Sequence, residues 1–255
     1  MKKIIIANWK MNPASAKEAE KLFLNINKGL INKNTKNTFV ICPPFLYLEK
    51  LIALNRKGRN QKITFGAQDV FWEESGAYTG KISASMLSGV GVKYVILGHS
   101  ELRALGENNF EINKKIKKCF SNDLIPILCI GEKERDEKHE YFNFIKIQIK
   151  EALNNLPKNL FKKIIIAYEP IWAISSTAQR HDVSPNDISE MVIFIRKILS
   201  EIIPLETAYS VPIIYGGSVN EKNILDLMQN GKIDGVLVGQ ASLDSKKFLE
   251  IISKV

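Results

Sequence analysis

The chain has 255 residues, 45% of them hydrophobic and 25% charged, a composition that excludes collagen-like and low-complexity disordered proteins. We find no linker, repeat or shift in composition, so we expect a single domain over residues 1–255. The formal net charge is +9, but only six of the 36 basic residues are Arg. Because Arg forms paired hydrogen bonds with phosphate groups and base edges better than Lys does, a protein with so few Arg is a poor candidate for nucleic-acid binding, and we predict no nucleic-acid partner.

Cysteine usage and short apolar runs indicate the compartment. Cys42, Cys119 and Cys129 are odd in number and far apart, which argues against a disulfide framework or a structural zinc site. The first apolar run ends at Asn8, too early for a signal peptide, and no run approaches the ~18 residues of a membrane span. We therefore expect a cytoplasmic protein with no membrane partner.

Eight short runs rich in Ile and Val alternate along the chain with amphipathic stretches. Runs that are apolar on both faces are typical of parallel strands buried between two layers. The predicted strands are residues 3–8, 38–42, 62–66, 93–97, 124–130, 163–168, 211–215 and 234–238.

The stretches between these strands carry helical spacing. Apolar stripes run from Ala19 to Leu30 and from Ile188 to Ile202, and Ser184 before Pro185 is a helix start signal. Further helices are predicted over residues 44–57, 82–89, 109–120, 137–155, 220–230 and 244–254.

Eight strand–helix units in one chain predict an α/β fold, the closed (β/α)8 barrel. A doubly wound open sheet is the alternative, but the Gly-rich phosphate turn that usually follows its first strand is absent here. In such barrels the chemistry lies at the carboxyl ends of the strands, so the residues after each apolar run are the candidates for function.

Polar side chains follow the first, fourth and sixth predicted strands. Asn8 and Lys10 share one face and could hold an anion and a carbonyl oxygen, or could be a turn Asn and a solvated Lys. His99 precedes a helical stretch, whose positive end favours a neutral ring; it is either an electrophile or a hydrogen-bonded structural His. Glu169 is either a general base or half of a salt bridge.

Glycine turns follow the last two strands. Gly216 and Gly217 come after the seventh strand and Gly239 after the eighth, the two places where barrel enzymes commonly bind phosphate. The long stretch 69–81 after the third strand carries three aromatic residues and is either a ligand wall or a subunit contact.

Together these segments resemble the triosephosphate isomerase family. The similar segments, in the family's order, are ANWKMN (7–12), GAQ (66–68), GAYTG (76–80), YVILGHSE (94–101), LCIGE (128–132), AYEPIWAI (167–174), YGGSV (215–219) and VG (238–239). The resemblance implies interconversion of dihydroxyacetone phosphate and D-glyceraldehyde 3-phosphate through an enediolate, with no cofactor and no metal.

The resemblance also implies a role for each matching residue. Glu169 is similar to the family's base, His99 to its neutral electrophile and Lys10 to its substrate-holding cation. Asn8 hydrogen-bonds beside Lys10, and Glu101 is a supporting acid.

For the phosphate, the resemblance implies backbone donors at Ser218, Gly239, Gln240 and Ser175. Ser175 begins the segment 175–180, which replaces the family's usual glycine-rich lid tip.

Family members are usually homodimers, and the resemblance assigns the subunit contact to the 69–81 loop. Thr79 would then lie near the partner's Asn8 and the partner's Lys10. Two other functions stay open from the residues alone: another phosphate-binding barrel isomerase, and a non-catalytic barrel that binds phosphorylated metabolites.

Overall fold

A computed structural model describes residues 2–31, 35–58, 61–173 and 183–255. Within these ranges, eight parallel strands pair in chain order, and the pairing of the first with the last closes a barrel. The strands are β1 (Ile4–Asn8), β2 (Thr38–Cys42), β3 (Ile63–Ala67), β4 (Tyr94–Leu97), β5 (Ile125–Ile130), β6 (Ile165–Tyr168), β7 (Ile213–Tyr215) and β8 (Gly235–Val238). The predicted (β/α)8 barrel is confirmed, and the open sheet is excluded.

Helices surround the barrel. Those in the described ranges are α1 (Ala16–Leu30), α2 (Phe45–Lys57), α3 (Ala84–Val90), α4 (Ser100–Ala104), α5 (Asn109–Ser121), α6 (Glu140–Ala152), α7 (Pro185–Ser200), α8 (Leu205–Ser210), α9 (Ile224–Asn230) and α10 (Ser245–Ser253). Short 3-10 helices lie at Lys158–Lys163, Ile171–Ala173 and Gln240–Leu243. None of the helices in these ranges has the length and apolarity to span a membrane.

The apolar side chains form two separate cores, because each strand buries both faces. On β1, Ile6 packs inside the barrel, whereas Ile5 and Ala7 pack outward against the helices. The inward alternation continues to the end of β1, where Asn8 follows Ile6 by two residues, and just past β6, where Glu169 follows the inward Ala167 by two residues. The strand register therefore aims these polar side chains at the barrel mouth.

Two predicted helices are shorter in the structure, because side chains hold the chain outside the helix. The helix predicted from residue 220 begins at Ile224. The Asn220 N–H donates to Asn223 Oδ1 at 2.9 Å, and the Asn223 N–H donates to Asn220 Oδ1 at 3.1 Å. Such hydrogen bonds between Asn side chains and the backbone compete with helix formation. The helix predicted over 137–155 is α6, which begins at Glu140. The Asp136 carboxylate accepts hydrogen bonds from the first two backbone N–H groups of this helix, those of Glu140 and Tyr141.

Candidate active site

A cavity of about 580 Å³ opens at the carboxyl ends of the strands. Among its lining residues are seven of the predicted site residues: Asn8, Lys10, His99, Glu169, Ser218, Gly239 and Gln240. Glu101 lies at its edge, where it bonds Lys10. The remaining predicted site residue, Ser175, lies outside the described residues.

The turn after β1 holds Lys10 in an unusual backbone shape. Its φ of +52° lies in the left-handed region, which non-glycine residues adopt at a cost in free energy. The Lys10 N–H donates to Asn8 Oδ1 at 3.0 Å, and the Lys10 carbonyl accepts from Gln68 Nε2 at 2.8 Å. Asn8 and Gln68 thus fix the backbone from which the amine reaches into the cavity.

The amine of Lys10 carries an ion pair at the cavity mouth. Lys10 Nζ lies 2.6 Å from Glu101 Oε1, and the Glu101 side chain is half exposed. Because ion pairs near solvent contribute at most about 1 kcal/mol, an arriving anion can compete for Nζ at little cost. The pair keeps the positive charge in place before substrate binds.

The imidazole of His99 is oriented by its own helix start. His99 caps α4, and its Nδ1 accepts the Glu101 backbone N–H at 3.2 Å. An accepting Nδ1 leaves the ring proton on Nε2. Nε2 lies 3.6 Å from Glu169 Oε1, and His99 is only 7% exposed. A neutral donor therefore faces the buried carboxylate.

The peptide before His99 is clamped on both sides. Gly98 has a φ of +68°; its N–H donates to Glu107 Oε2 at 3.1 Å, and its carbonyl accepts from Arg103 Nε at 2.7 Å. Burial raises the pKa of Glu107, whose other oxygen pairs with Lys115. These contacts fix the direction in which the chain enters His99.

Glu169 is packed between two glycines and is only 2% exposed. A Cβ on Gly131 would lie 1.8 Å from the Glu169 carbonyl oxygen, and a Cβ on Gly216 would lie 2.6 Å from Glu169 Cγ. Neither carboxylate oxygen has a hydrogen-bond partner of ordinary geometry among the described residues. Burial and this carboxylate raise the pKa of the Cys129 thiol. Packing therefore holds a buried carboxylate at the cavity wall, facing His99.

A second carboxylate, Glu132, ties down the residues on either side of Glu169. Glu132 Oε1 accepts from Tyr168 Oη at 2.8 Å and from Trp172 Nε1 at 3.0 Å. Arg135 Nε lies 3.5 Å from the same oxygen. The carboxylate and guanidinium therefore brace both sides of the segment that carries Glu169.

The side of the cavity expected to bind phosphate is formed by two turns. Gly216, Gly217 and Ser218 follow β7, and Gly239 follows β8 and leads into a 3-10 helix that begins at Gln240. The next helix after the first of these turns, α9, begins six residues after Ser218. Backbone groups of these two turns therefore border the cavity, together with the start of α10 at Asp244 and Lys247.

Several residues that shape the site escape sequence reasoning. Gln68, Arg103, Glu107 and Gly131 act through the backbone of a neighbour, and such contacts leave no spacing pattern. Positive φ at Gly98 is the only one of these features with a local signal, a glycine directly before a polar residue at a strand end. Among the described residues, no cluster of three or more His, Cys, Asp or Glu side chains suits a metal ion.

Comparison with known proteins gives a full-length match. Residues 3–255 match the family described as Triosephosphate isomerase. The chain is 44% identical over 255 residues to the triosephosphate isomerase of Dictyoglomus turgidum, covering 98% of each chain. It is 42% identical over 254 residues to that of Alkaliphilus oremlandii, covering 99% of each. The similarity thus extends over all eight strands.

Proposed function

The chain belongs to the triosephosphate isomerase family and interconverts dihydroxyacetone phosphate and D-glyceraldehyde 3-phosphate, and we propose that Glu169, His99 and Lys10 carry out this reaction in the cavity described above. The observation that supports this most is the 3.6 Å separation of His99 Nε2 and Glu169 Oε1. Strands β4 and β6 bring them together from distant parts of the chain. The family match decides against another barrel isomerase and against a non-catalytic barrel.

In the proposed reaction, Glu169 moves a proton between two adjacent carbons. Its carboxylate takes the proton from the carbon beside the carbonyl, and an enediolate forms as the C–H electron pair becomes a C=C bond. The proton then returns to the neighbouring carbon, and the hydroxyl proton moves from one enediolate oxygen to the other, which gives the other triose. Because the two trioses have the same atoms and electrons, proton transfer is sufficient and no cofactor takes part.

Three side chains would stabilise the negative charge that develops on oxygen. His99 Nε2–H donates to the developing oxyanion, and Lys10 places an ammonium beside it. Asn8, buried next to Lys10, offers an amide donor. Donors fixed in advance in a site with little water stabilise the transition state more than mobile water does, because they need no reorganisation.

The phosphate would bind at the turns after β7 and β8. Ser218, Gly239 and Gln240 border the cavity there, and Gly239 lies beside Lys10, whose Cε is 3.7 Å from where a Cβ on Gly239 would be. A phosphate at this place would accept hydrogen bonds from backbone N–H groups and still contact the Lys10 amine. We also propose that Ser175 contributes, on the resemblance alone.

Replacement Glu169→Gln tests the base assignment. The amide keeps the shape but cannot take a proton, so kcat should fall by about 10³- to 10⁴-fold, with the fold retained. Turnover is measured in a coupled assay and folding by circular dichroism. Glu206→Gln, an exposed carboxyl on α8, is the matched control and should keep full turnover. Near-normal turnover of the Glu169→Gln variant would reject Glu169 as the base.

We also propose that two copies pair through the 69–81 loop. Strongly exposed apolar side chains follow the carboxyl ends of β1, β2 and β4, as the 69–81 loop follows that of β3: Met11 at 93%, Leu46 at 87% and Leu105 at 86% exposure. A protein that stays monomeric rarely exposes apolar groups in one contiguous area. A second copy covering this rim would remove them from water.

We place the protein in a reducing compartment, the cytoplasm. Cys42, Cys119 and Cys129 are all free thiols and all buried. Buried free cysteines behave as small apolar side chains and need no oxidising environment.

A further inference from the structure

A buried amide on α6 contacts the wall behind Glu169. Gln148 is 3% exposed and lies on the face of α6 that otherwise buries Tyr141, Ile145 and Ile149. A polar side chain on such a face must find partners, because an unpaired buried amide destabilises the fold. Its partner is one residue, Gly131, at the end of β5.

Gln148 bonds both backbone groups of Gly131. The Gly131 N–H donates to Gln148 Oε1 at 2.9 Å, and Gln148 Nε2 donates to the Gly131 carbonyl at 3.3 Å. A side-chain amide that pairs with both groups of one residue fixes its position and its orientation together. α6 thereby holds the end of β5 at one point.

Gly131 in turn sets the backbone of Glu169. The two are in direct contact, since a Cβ on Gly131 would overlap the Glu169 carbonyl. The flanking peptides complete the contact: Glu169 N–H donates to the Ile130 carbonyl at 2.7 Å, and Ile171 N–H donates to the Glu132 carbonyl at 2.9 Å. A displacement of residue 131 is therefore passed to both sides of Glu169.

We propose that Gln148 is a positioning residue for the base: it holds Gly131, and Gly131 holds Glu169 at its distance from His99. Gln148 lies behind the strands and does not line the cavity. Its effect should therefore fall on the proton-transfer step rather than on substrate binding. This inference rests on the proposed role of Glu169.

Replacement Gln148→Met tests the proposal, because Met fills a similar volume without polar atoms. We expect kcat to fall by about 10- to 100-fold, since small displacements of a catalytic group cost that much, and KM to change by less than about twofold. Asn113→Leu is the matched control. Asn113 is a buried amide on α5 that bonds the carbonyls of Ala152 and Asn154, where α6 ends.

Both variants should lose thermal stability, but only Gln148→Met should lose kcat. An unchanged kcat in folded Gln148→Met, or an equal loss in Asn113→Leu, would overturn the proposal. If Glu169→Gln kept its turnover, the base assignment itself would fail. If the Glu169→Gln variant lost its turnover and the Gln148→Met variant kept the wild-type kcat, only the positioning role of Gln148 would be rejected.

Replacement Gln148→Glu provides a second readout, also if Gln148→Met does not fold. A neutral carboxyl can accept from the Gly131 N–H and donate to its carbonyl, as the amide does, whereas a carboxylate cannot donate. Burial raises the pKa of the introduced carboxyl. We expect kcat near the wild-type value at low pH and a loss as the pH rises, beyond any change in the wild type. A pH profile of kcat parallel to that of the wild type would contradict the proposal.

Discussion

At the scale of single residues, the site is built from contacts between backbone and side chain. Asn8 and Gln68 fix the Lys10 backbone, and the Glu101 N–H fixes the ring of His99. Each of these bonds joins a residue that could react to one that orients it, and Asn8 serves in both ways. The sequence reveals the first kind of residue through its position at a strand end. It conceals the second kind, because a Gln or a Glu gives no sign of which backbone group it will bond.

The His99 ring gives a prediction at this scale. Replacement His99→Gln leaves an amide donor but loses the fixed direction of the ring N–H. We expect kcat to fall by about 10²-fold, which is typical of the loss of one preset donor to a developing oxyanion and less than the loss of the base. Coupled assays of both variants measure the difference.

Unchanged turnover in His99→Gln would exclude an electrophilic role for this side chain. A loss equal to that of Glu169→Gln would mean that the ring carries protons as well.

At the scale of elements, predictability depends on burial. All eight strands were predictable to within one or two residues, because a parallel strand buried on both faces is an apolar run with polar ends. Helix ends were less predictable, as α6 and α9 show, because short side chains bond the backbone just before the helix. The helical stretch expected after His99 is the five-residue α4. The six-residue α8 is too short for a stripe and was not predicted.

The 69–81 loop is an element without regular structure, and its aromatic rings pack on one another. The Phe71 ring lies 4.2 Å from Trp72 and 4.8 Å from Tyr78, and Lys81 Nζ lies 5.6 Å from the Phe71 ring centre. Tyr78 is nevertheless 44% exposed. The loop therefore has an ordered inner face and an outer face available to a second copy.

Replacement Tyr78→Asp tests the proposed pairing. A charge on the outer face should separate the copies, so light scattering should give the 28.8 kDa of one chain where the wild type gives twice that mass. Turnover should fall too, since the resemblance places Thr79 near Lys10 of the partner subunit. Tyr209→Asp, at a tyrosine that is 63% exposed on α8, is the control and should stay paired. A wild-type protein whose mass in light scattering is that of a single chain would reject the dimer.

At the scale of the whole molecule, the protein carries a formal net charge of +9, and the substrate of its cavity is an anion. Lys10, Lys222 and Lys247 line that cavity, together with the acidic Glu221 and Asp244. A positive potential raises the rate at which small anions arrive, and dissolved salt screens it. The sequence predicts the sign of this effect from composition alone, whereas only the fold shows which lysines surround the cavity.

The salt dependence of catalytic efficiency tests this steering. Between about 0.01 M and 0.15 M ionic strength the Debye length shortens from about 30 Å to about 8 Å, and we expect kcat/KM to fall by about threefold to tenfold while kcat stays constant. The double variant Lys222→Gln, Lys247→Gln should lower kcat/KM at low salt and flatten its salt dependence. The matched variant Lys162→Gln, Lys163→Gln removes the same charge before β6, at the opposite end of the barrel, and should leave the salt dependence close to that of the wild type. Equal effects of the two double variants would mean that the net charge matters and the position of the lysines at the cavity does not. A kcat/KM that does not change with ionic strength would exclude electrostatic steering.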